Sequence, residues 1–299
     1  MASRADAGTR IGSRSVPLSN VDKVLWPGEG YTKGDLIAYY RSVAKWLIPY
    51  LRDRPLSLER YPNGIRKPGF FEKNAPAGLP SWVETVALKG GGKRARVRYI
   101  LCNDEATLAY VANLGSIALH VWMSRLGSLD RPDFILFDLD RGEGCTLGTL
   151  AAVALAVRAA LRRAGMQAVV KTTGGSGLHV FVWTRRRMSY EQGRDLTKDV
   201  ALRVQRQLPR FVTLERMIAK RGRGKVYMDW AQVGRGKTVV MPFTVRAREK
   251  APVSMPLGWA DVRRMRHSKE QDTAAYFARW NIKTVPALLR SRGNPWKGR

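Results

Sequence analysis

An α/β fold follows from three features of this sequence. Short apolar runs rich in β-formers, such as Phe134, Ile135, Leu136 and Phe137, alternate with longer stretches whose apolar residues recur at helical spacing. Gly174, Gly175, Ser176 and Gly177 separate two such short runs, residues 167–172 and 178–183, which predicts strand, tight turn and return strand. The Ala-rich stretch 146–163 keeps one apolar face for several turns and then meets Gly165, a helix stop.

In chain order, residues 1–16 read as a flexible basic tail, and residues 17–299 as a single domain. L-S-N-V-D-K-V-L-W-P-G-E-G-Y is turn-rich. Thr32 then reads as an N-cap with Asp35 in the first turn, before a helix carrying Leu36, Tyr40, Val43, Ala44 and Leu47, with Pro49 near its end. Residues 56–61 read as a strand and 66–75 as a loop. That loop sets Phe70 and Phe71 between Lys67 and Lys73. Two readings stand there: one core and one half-buried ring, or a pair that stacks on nucleic-acid bases. The Gly-rich basic stretch 89–98 reads either as a solvated hairpin tip or as a backbone-tracking loop before a strand at 97–101. Residues 104–119 are expected to be helical, with His120 following. A basic helix is expected over 190–207, strands over 225–230 and 237–243, and helices with a basic tail from 261 onward.

The charge balance points to a partner. Lys and Arg number 53 against 24 Asp and Glu, a formal +29, far more than solubility requires. A polyanion is implied, nucleic acid first and an anionic membrane second. No apolar run approaches the roughly 18 residues of a membrane span, and the N-terminus lacks the apolar core of a signal peptide. Two cysteines, Cys102 and Cys145, fit a reducing compartment and exclude a cysteine zinc cluster. A cytoplasmic, nucleoid-associated protein is expected.

The strand at 134–137 ends in Asp138 and Asp140. At i and i+2 their side chains share a face, and like charges so close call for a cation between them. A hard divalent ion such as Mg2+ or Mn2+ suits them, and Asp229, near the end of another apolar strand, completes a set able to hold a metal pair for phosphoryl or nucleotidyl transfer. The hairpin Thr173 to His179 adds a hydroxyl, glycines that let a triphosphate approach, and an imidazole able to donate to a phosphate oxygen. Arg246 and Arg248 follow a strand and are placed to clamp phosphates. Taken singly, Asp138 and Asp140 read as solvated strand-end carboxylates, His179 as a satisfied core histidine and Asp229 as a cap. Together they read as a catalytic constellation.

D-x-D, then S-G-x-H, then a third Asp on a later strand is the three-motif pattern of the archaeo-eukaryotic primase superfamily. The chain resembles the polymerase domain of bacterial ATP-dependent DNA ligase D, from about residue 18 to the C-terminus, through L-S-N-V-D-K-V-L-W-P, T-K-G-D-L, R-P-L-S-L-E-R-Y-P-N-G, P-G-F-F-E-K, F-D-L-D, S-G-L-H-V, M-D-W-A-Q and V-R-A-R. The resemblance implies two small, mainly antiparallel sheets flanking a catalytic cleft, with helices outside. It implies a template-directed, gap-filling and primer-extending nucleotidyltransferase of non-homologous end joining that favours ribonucleotides. Asp138, Asp140 and Asp229 would hold two divalent ions, commonly Mn2+. His120, Thr173, Ser176, His179, Gln232 and Arg246 match positions that bind the incoming NTP or dNTP. Asn20, Lys23 and Lys33 match a pocket for the downstream 5′-phosphate, Phe70 and Phe71 a pair stacking on template bases, and Arg221 a loop that helps bridge DNA ends. The implied partners are double-stranded ends and gapped DNA, Ku and an ATP-dependent DNA ligase, with no membrane.

Two positions depart from the family pattern. Ser176 stands where many relatives carry Lys or Arg, and Val233 where Asn is common after W-x-Q. No ligase or nuclease region occurs in these 299 residues, which leaves an excised domain or a stand-alone enzyme open; Met1 and the basic tails fit the second. The competing functions are a de novo primase, against which the 5′-phosphate pocket argues, and a non-catalytic end-binding module, which gains nothing from three carboxylates facing a polyanion.

Overall fold

The structure, a computed structural model, describes residues 8–89, 96–268 and 273–296. The chain begins with a hairpin, β1 (Thr9–Ile11) and β2 (Arg14–Val16). Then come β3 (Val24–Trp26), β4 (Tyr31–Thr32), α1 (Lys33–Leu51), β5 (Pro55–Arg60), β6 (Phe70–Glu72), β7 (Thr85–Lys89), β8 (Arg96–Leu101), α2 (Glu105–Asn113) and β9 (Ser116–Trp122). They are followed by β10 (Phe134–Arg141), α3 (Leu147–Arg163), β11 (Ala168–Thr172), β12 (Leu178–Trp183), α4 (Tyr190–Gln207), β13 (Val212–Thr213) and β14 (Val226–Asp229). The remainder is β15 (Thr238–Val240), β16 (Pro256–Leu257), α5 (Trp259–Arg266), α6 (Thr273–Ala278) and α7 (Val285–Arg292).

The chain divides into two compact units, each with its own six-stranded sheet. Unit 1 takes residues 1–122, 238–253 and 280–292; unit 2 takes 123–237, 254–279 and 293–299. Among the described residues no helix is long and apolar enough to cross a membrane.

Unit 1 carries the antiparallel sheet β15-β9-β5-β8-β7, with β6 added beside β5. The N-terminus of α1 is a full capping box: Thr32 Oγ1 accepts from Asp35 N at 3.1 Å, and Asp35 Oδ2 accepts from Thr32 N at 2.9 Å. Such a cap contributes about 1 kcal/mol. Leu36, Tyr40, Val43 and Leu47 recur at helical spacing and are fully buried. Each such aliphatic side chain contributes roughly 1.5–3 kcal/mol by leaving water. The buried Tyr40 hydroxyl donates to Ile117 O at 2.6 Å, so the core stays satisfied.

Unit 2 carries the sheet β13-β14-β10-β12-β11-β16, antiparallel except for the parallel β13–β14 pair. Phe134 to Phe137 are all buried, as expected of a central strand covered on both faces. Helices α3 and α4 pack against β10. Phe134 and Phe181 meet with centroids 4.9 Å apart, Phe181 meets Trp296 at 5.4 Å, and Trp296 Nε1 donates to Val170 O at 3.1 Å. This aromatic layer buries the first half of β10, and the carboxylates lie beyond it.

Three expectations are corrected. Residues 9–16 are not a tail but a hairpin, because Gly12 takes the turn at φ +58° and Ile11 and Val16 are buried; residues 1–7 lie outside the described residues. The loop at 66–75 contains β6, drawn into the sheet by pairing with β5. The helix expected over 104–119 ends at Asn113, and residues 116–122 pair as a strand with β5. Gly115 makes that break at φ +73°, where an added Cβ would sit 3.1 Å from Pro62 Cα. I-A-L-H-V-W suits either state locally, and the cross-strand partners decide. Of the basic stretch 89–98, residues 90–95 lie outside the described residues, as do 297–299 of the C-terminal tail.

Candidate active site

Unit 2 builds its site by register. Asp229 on β14 lies directly opposite Asp138 on β10, and Asp138 lies directly opposite His179 on β12. His179 in turn faces Lys171 on β11. Directly opposed residues share a face, with Cβ atoms about 4.5–5.5 Å apart. One row of four polar side chains therefore crosses four strands. Asp140, at i+2, stands on the same face opposite Tyr227. All three sequence-predicted carboxylates thus share one surface of one sheet.

The contacts within that row are specific. His179 is buried, and its Nε2 lies 3.2 Å from Asp138 Oδ1. Asp229 accepts from Ala231 N at 3.1 Å through Oδ1. Burial, and then the charge of the nearby Asp229 carboxylate, push the Tyr227 phenol above its ordinary value. Lys171 is fully buried; its ammonium donates to Ser254 Oγ and to Thr172 O and lies 5.6 Å from the Phe181 ring centroid.

The donor set is the one a hard divalent cation takes: carboxylates at adjacent register positions. The side chains as they stand do not close around an ion. Among the described residues no three His, Cys, Asp or Glu form a group that could hold one, and Asp138 is turned toward His179. Residue types and backbone placement fit metal ions, with carboxylate rotation needed to bind them.

The Gly-rich turn between β11 and β12 is shaped by Thr173. Its hydroxyl accepts from Gly175 N at 3.1 Å and Gly177 N at 3.2 Å, while Thr173 N donates to Gly177 O at 3.0 Å. Gly177 runs so close to β10 that a Cβ would lie 2.5 Å from Leu139 O. Ser176 sits in this turn. Gln232 ends the 3-10 turn Trp230–Gln232 directly after Asp229. Val233, at the second departure noted above, is fully buried and offers no polar group there. Arg221 lies in the loop before β14, with its guanidinium 3.7 Å over the Tyr227 ring and donating to Glu215 O and Arg216 O, each at 3.1 Å.

Unit 1 gathers the other candidates into two groups. His120, on β9, places Nε2 3.1 Å from Glu59 Oε2 on β5. Burial works to raise the Glu59 carboxyl, but the hydrogen bond from His120 and the charge of Arg246 hold it below the ordinary carboxylate value. The Phe71 ring meets His120 edge-on at 5.1 Å. Phe70 and Phe71 are both exposed, 46% and 60%, so neither is a core residue. They are adjacent on a strand and point to opposite sides: Phe71 stands opposite Glu59, while Phe70 stands opposite Arg60, whose guanidinium lies 5.3 Å from its ring.

The second group is Asn20, Lys23 and Lys33. Asn20 takes φ +49°, and the turn it opens closes with Lys23 N donating to Asn20 O at 3.1 Å. Lys33 N then donates to Lys23 O at 2.8 Å, which seats the turn on the start of α1. Burial and the neighbouring Lys23 charge lower the Lys33 ammonium below the ordinary 10.5. Two cations at a helix N-terminus form a site an anion would stabilise.

Sequence reasoning missed Glu59 and Asn63, whose Oδ1 accepts from Lys23 Nζ at 2.7 Å. Both lie inside the quoted motif R-P-L-S-L-E-R-Y-P-N-G, but their partners are 61 and 40 residues away.

The family model described as LigD, primase-polymerase domain, matches residues 32–296. The chain is 34% identical over 249 residues to the multifunctional non-homologous end joining protein LigD of Mycolicibacterium smegmatis, covering 83% of this chain and 32% of that protein. It is 29% identical over 280 residues to the bifunctional non-homologous end joining protein LigD of Bacillus subtilis, covering 93% of this chain and 43% of that one. The chain therefore spans a third to under a half of the length of these relatives. Among solved structures, the polymerase domain from Mycobacterium tuberculosis ligase D in complex with DNA superposes with a TM-score of 0.82 at 30% identity, covering 93% of this chain and 96% of that one.

Proposed function

The chain belongs to the LigD primase-polymerase family, and from that premise we propose that it is a nucleotidyltransferase that extends primers and fills gaps at DNA ends during end joining. The observation that carries this reading is the row Asp229, Asp138 and His179, with Asp140 on the same face. Asp138, Asp140 and Asp229 would hold two divalent ions, Mn2+ or Mg2+. Bound there, the ions would supply activation of a primer 3′-hydroxyl and neutralise charge on the triphosphate.

The chain's own residues do the rest. His179, 3.2 Å from Asp138 here, donates to a triphosphate oxygen once Asp138 turns to the ions. Thr173 holds the Gly-rich turn in the shape that receives triphosphate oxygens beside Ser176. The Ala231 N–H holds Asp229 in place. In unit 1, His120 and Arg246 contact the incoming nucleotide, with Glu59 fixing the His120 ring. Asn20, Lys23 and Lys33 bind a 5′-phosphate on the downstream strand. A preference for ribonucleotides, a nucleoid location, and work alongside Ku and an ATP-dependent ligase belong to the same reading.

The test is primer extension on a short gapped duplex with Mn2+. It compares ribonucleotides with deoxyribonucleotides, and a downstream 5′-phosphate with a 5′-hydroxyl. Addition stimulated by the phosphate supports the reading. Tight DNA binding without addition under any condition replaces it with a non-catalytic end-binding module.

A further inference from the structure

The loop before β14 carries an unusual surface. Ile218 is 80% exposed, more than any other exposed large apolar residue described, and Met217 beside it is 58% exposed. Their setting is strongly basic: residues 210–225 hold Arg210, Arg216, Lys220, Arg221, Arg223 and Lys225 against the single acid Glu215.

The loop is tied into one shape by its own polar groups. Glu215 N donates to Thr213 Oγ1 at 3.2 Å, and Met217 N donates to Glu215 Oε1 at 2.9 Å. Lys220 N donates to Met217 O at 2.9 Å, closing the 3-10 turn Ile218–Lys220. The Arg221 guanidinium is spent inward, on the carbonyls of Glu215 and Arg216 and on the Tyr227 ring. That ring belongs to β14, opposite Asp140 and two residues before Asp229. The apolar tip is therefore anchored to the strand that carries the third carboxylate.

An apolar tip in a basic collar selects a polyanion that also shows a flat apolar face. An intact duplex hides its base faces in the stack, and only a terminus or break exposes one. We propose that Met217 and Ile218 pack on the exposed face of a terminal base pair, and that Arg221 is a positioning residue that holds this tip rather than a phosphate ligand. The inference rests on the DNA-end reading above, and deepens it by naming what touches the end.

The experiment uses the full chain and a hairpin duplex with 2-aminopurine placed either at the open terminal pair or in the interior. Wild-type binding is expected to change the terminal probe's emission and leave the interior probe nearly unchanged. Met217→Ser with Ile218→Ser should weaken the terminal response about tenfold, the scale of one lost stacking contact. Because no charge is removed, the salt dependence of binding should not move. Ile218→Phe should retain the response, and Arg221→Lys should lose it as the double serine variant does, since lysine cannot reproduce the fork and ring contact. In the double serine variant, nucleotide addition at blunt or 3′-overhanging ends should fall in parallel, while addition inside a gap on a continuous template persists.

A terminal response unchanged in the serine variant overturns the proposal. So does an equal loss on gapped and end substrates, which marks a general defect; a thermal melt of each variant is expected to match wild type. A change confined to sedimentation also overturns it, in favour of contact between copies. If wild type adds no nucleotide to any substrate, the polymerase reading fails while the probe response still decides the tip.

Discussion

Unit 2 and unit 1 place their candidate residues by different means. In unit 2, Asp229, Asp138, His179 and Lys171 are ladder neighbours, each held opposite the next by backbone hydrogen bonds. A one-residue slip would turn the row to the other face and set its charged side chains among buried apolar neighbours, so the burial that folds the sheet also fixes the site. In unit 1, Glu59 and His120 meet diagonally, Lys23 meets Asn63 across a turn, and Arg246 arrives from a segment more than a hundred residues further on. Side-chain contacts hold these groups, so single substitutions should loosen them one at a time. The signs of charge differ as well: carboxylates line the row in unit 2, and cations dominate the candidate groups in unit 1.

The largest expected effect tests the row. Asp138→Ala or Asp229→Ala should lower nucleotide addition by about a thousandfold or more, because each removes a carboxylate that nothing nearby replaces. DNA binding by filter retention should hold or strengthen, since a negative charge is lost facing a polyanion. Retained addition would end the two-metal reading.

Next comes the cation pair. Lys23→Ala with Lys33→Ala should erase the preference for a gap bearing a 5′-phosphate over one bearing a hydroxyl, and Asn63→Ala should reduce it in part. Since the Lys33 ammonium is lowered below 10.5, that preference should fade with rising pH before an ordinary lysine would titrate. The sign for folding is opposite. A lysine lowered in the folded state opposes folding while charged, and that penalty is relieved as pH rises through its folded value. Lys33→Met should therefore melt no lower than wild type at pH 7, which a thermal scan checks.

A smaller effect separates the two phenylalanines. Phe71→Ala should raise the KM for nucleotide several-fold, about 1 kcal/mol of ring contact, because its ring lies on the His120 side of the strand. Phe70→Ala should leave that KM near wild type, since its ring lies under Arg60. Equal effects would mean that both rings serve one stacking surface.

The smallest effect is on stability. The Glu59 carboxyl is held low, so its contribution is present above the ordinary value of 4.5 and is lost as pH falls through its lower folded value. Glu59→Gln should flatten the fall in melting temperature across that acid window. An identical profile would show that His120 and Arg246 do not favour its charged form.

Much was legible in sequence because it depends on near neighbours. The Thr32 cap with Asp35, the α3 and α4 spans and the β11–β12 turn follow from side chains within a few positions of one another. The carboxylates were legible for a related reason: i, i+2 spacing at the end of an apolar strand has one geometric meaning. The strand at 116–122 was misread because Ser-Ile-Ala-Leu-His-Val-Trp satisfies helix and strand alike, and the deciding partner, β5, is some sixty residues earlier. The role expected of Arg221 rests on the family resemblance. The structure adds that its guanidinium is engaged by its own loop and that the pair beside it, Met217 and Ile218, is exposed, neither of which follows from the basic composition of the segment.

By itself, the sequence determined the α/β class, the strand-end carboxylates with the Gly-rich hairpin, and the large excess of positive charge, because strand period, turn chemistry and net charge are local or additive properties. Tertiary structure alone decided that Asp229 stands opposite Asp138, that Glu59 holds His120, that Phe70 and Phe71 part to opposite sides, and that Met217 and Ile218 stand out from their loop. Each of these depends on which distant segment pairs or packs with which, and that choice is made by the combined burial of the whole chain.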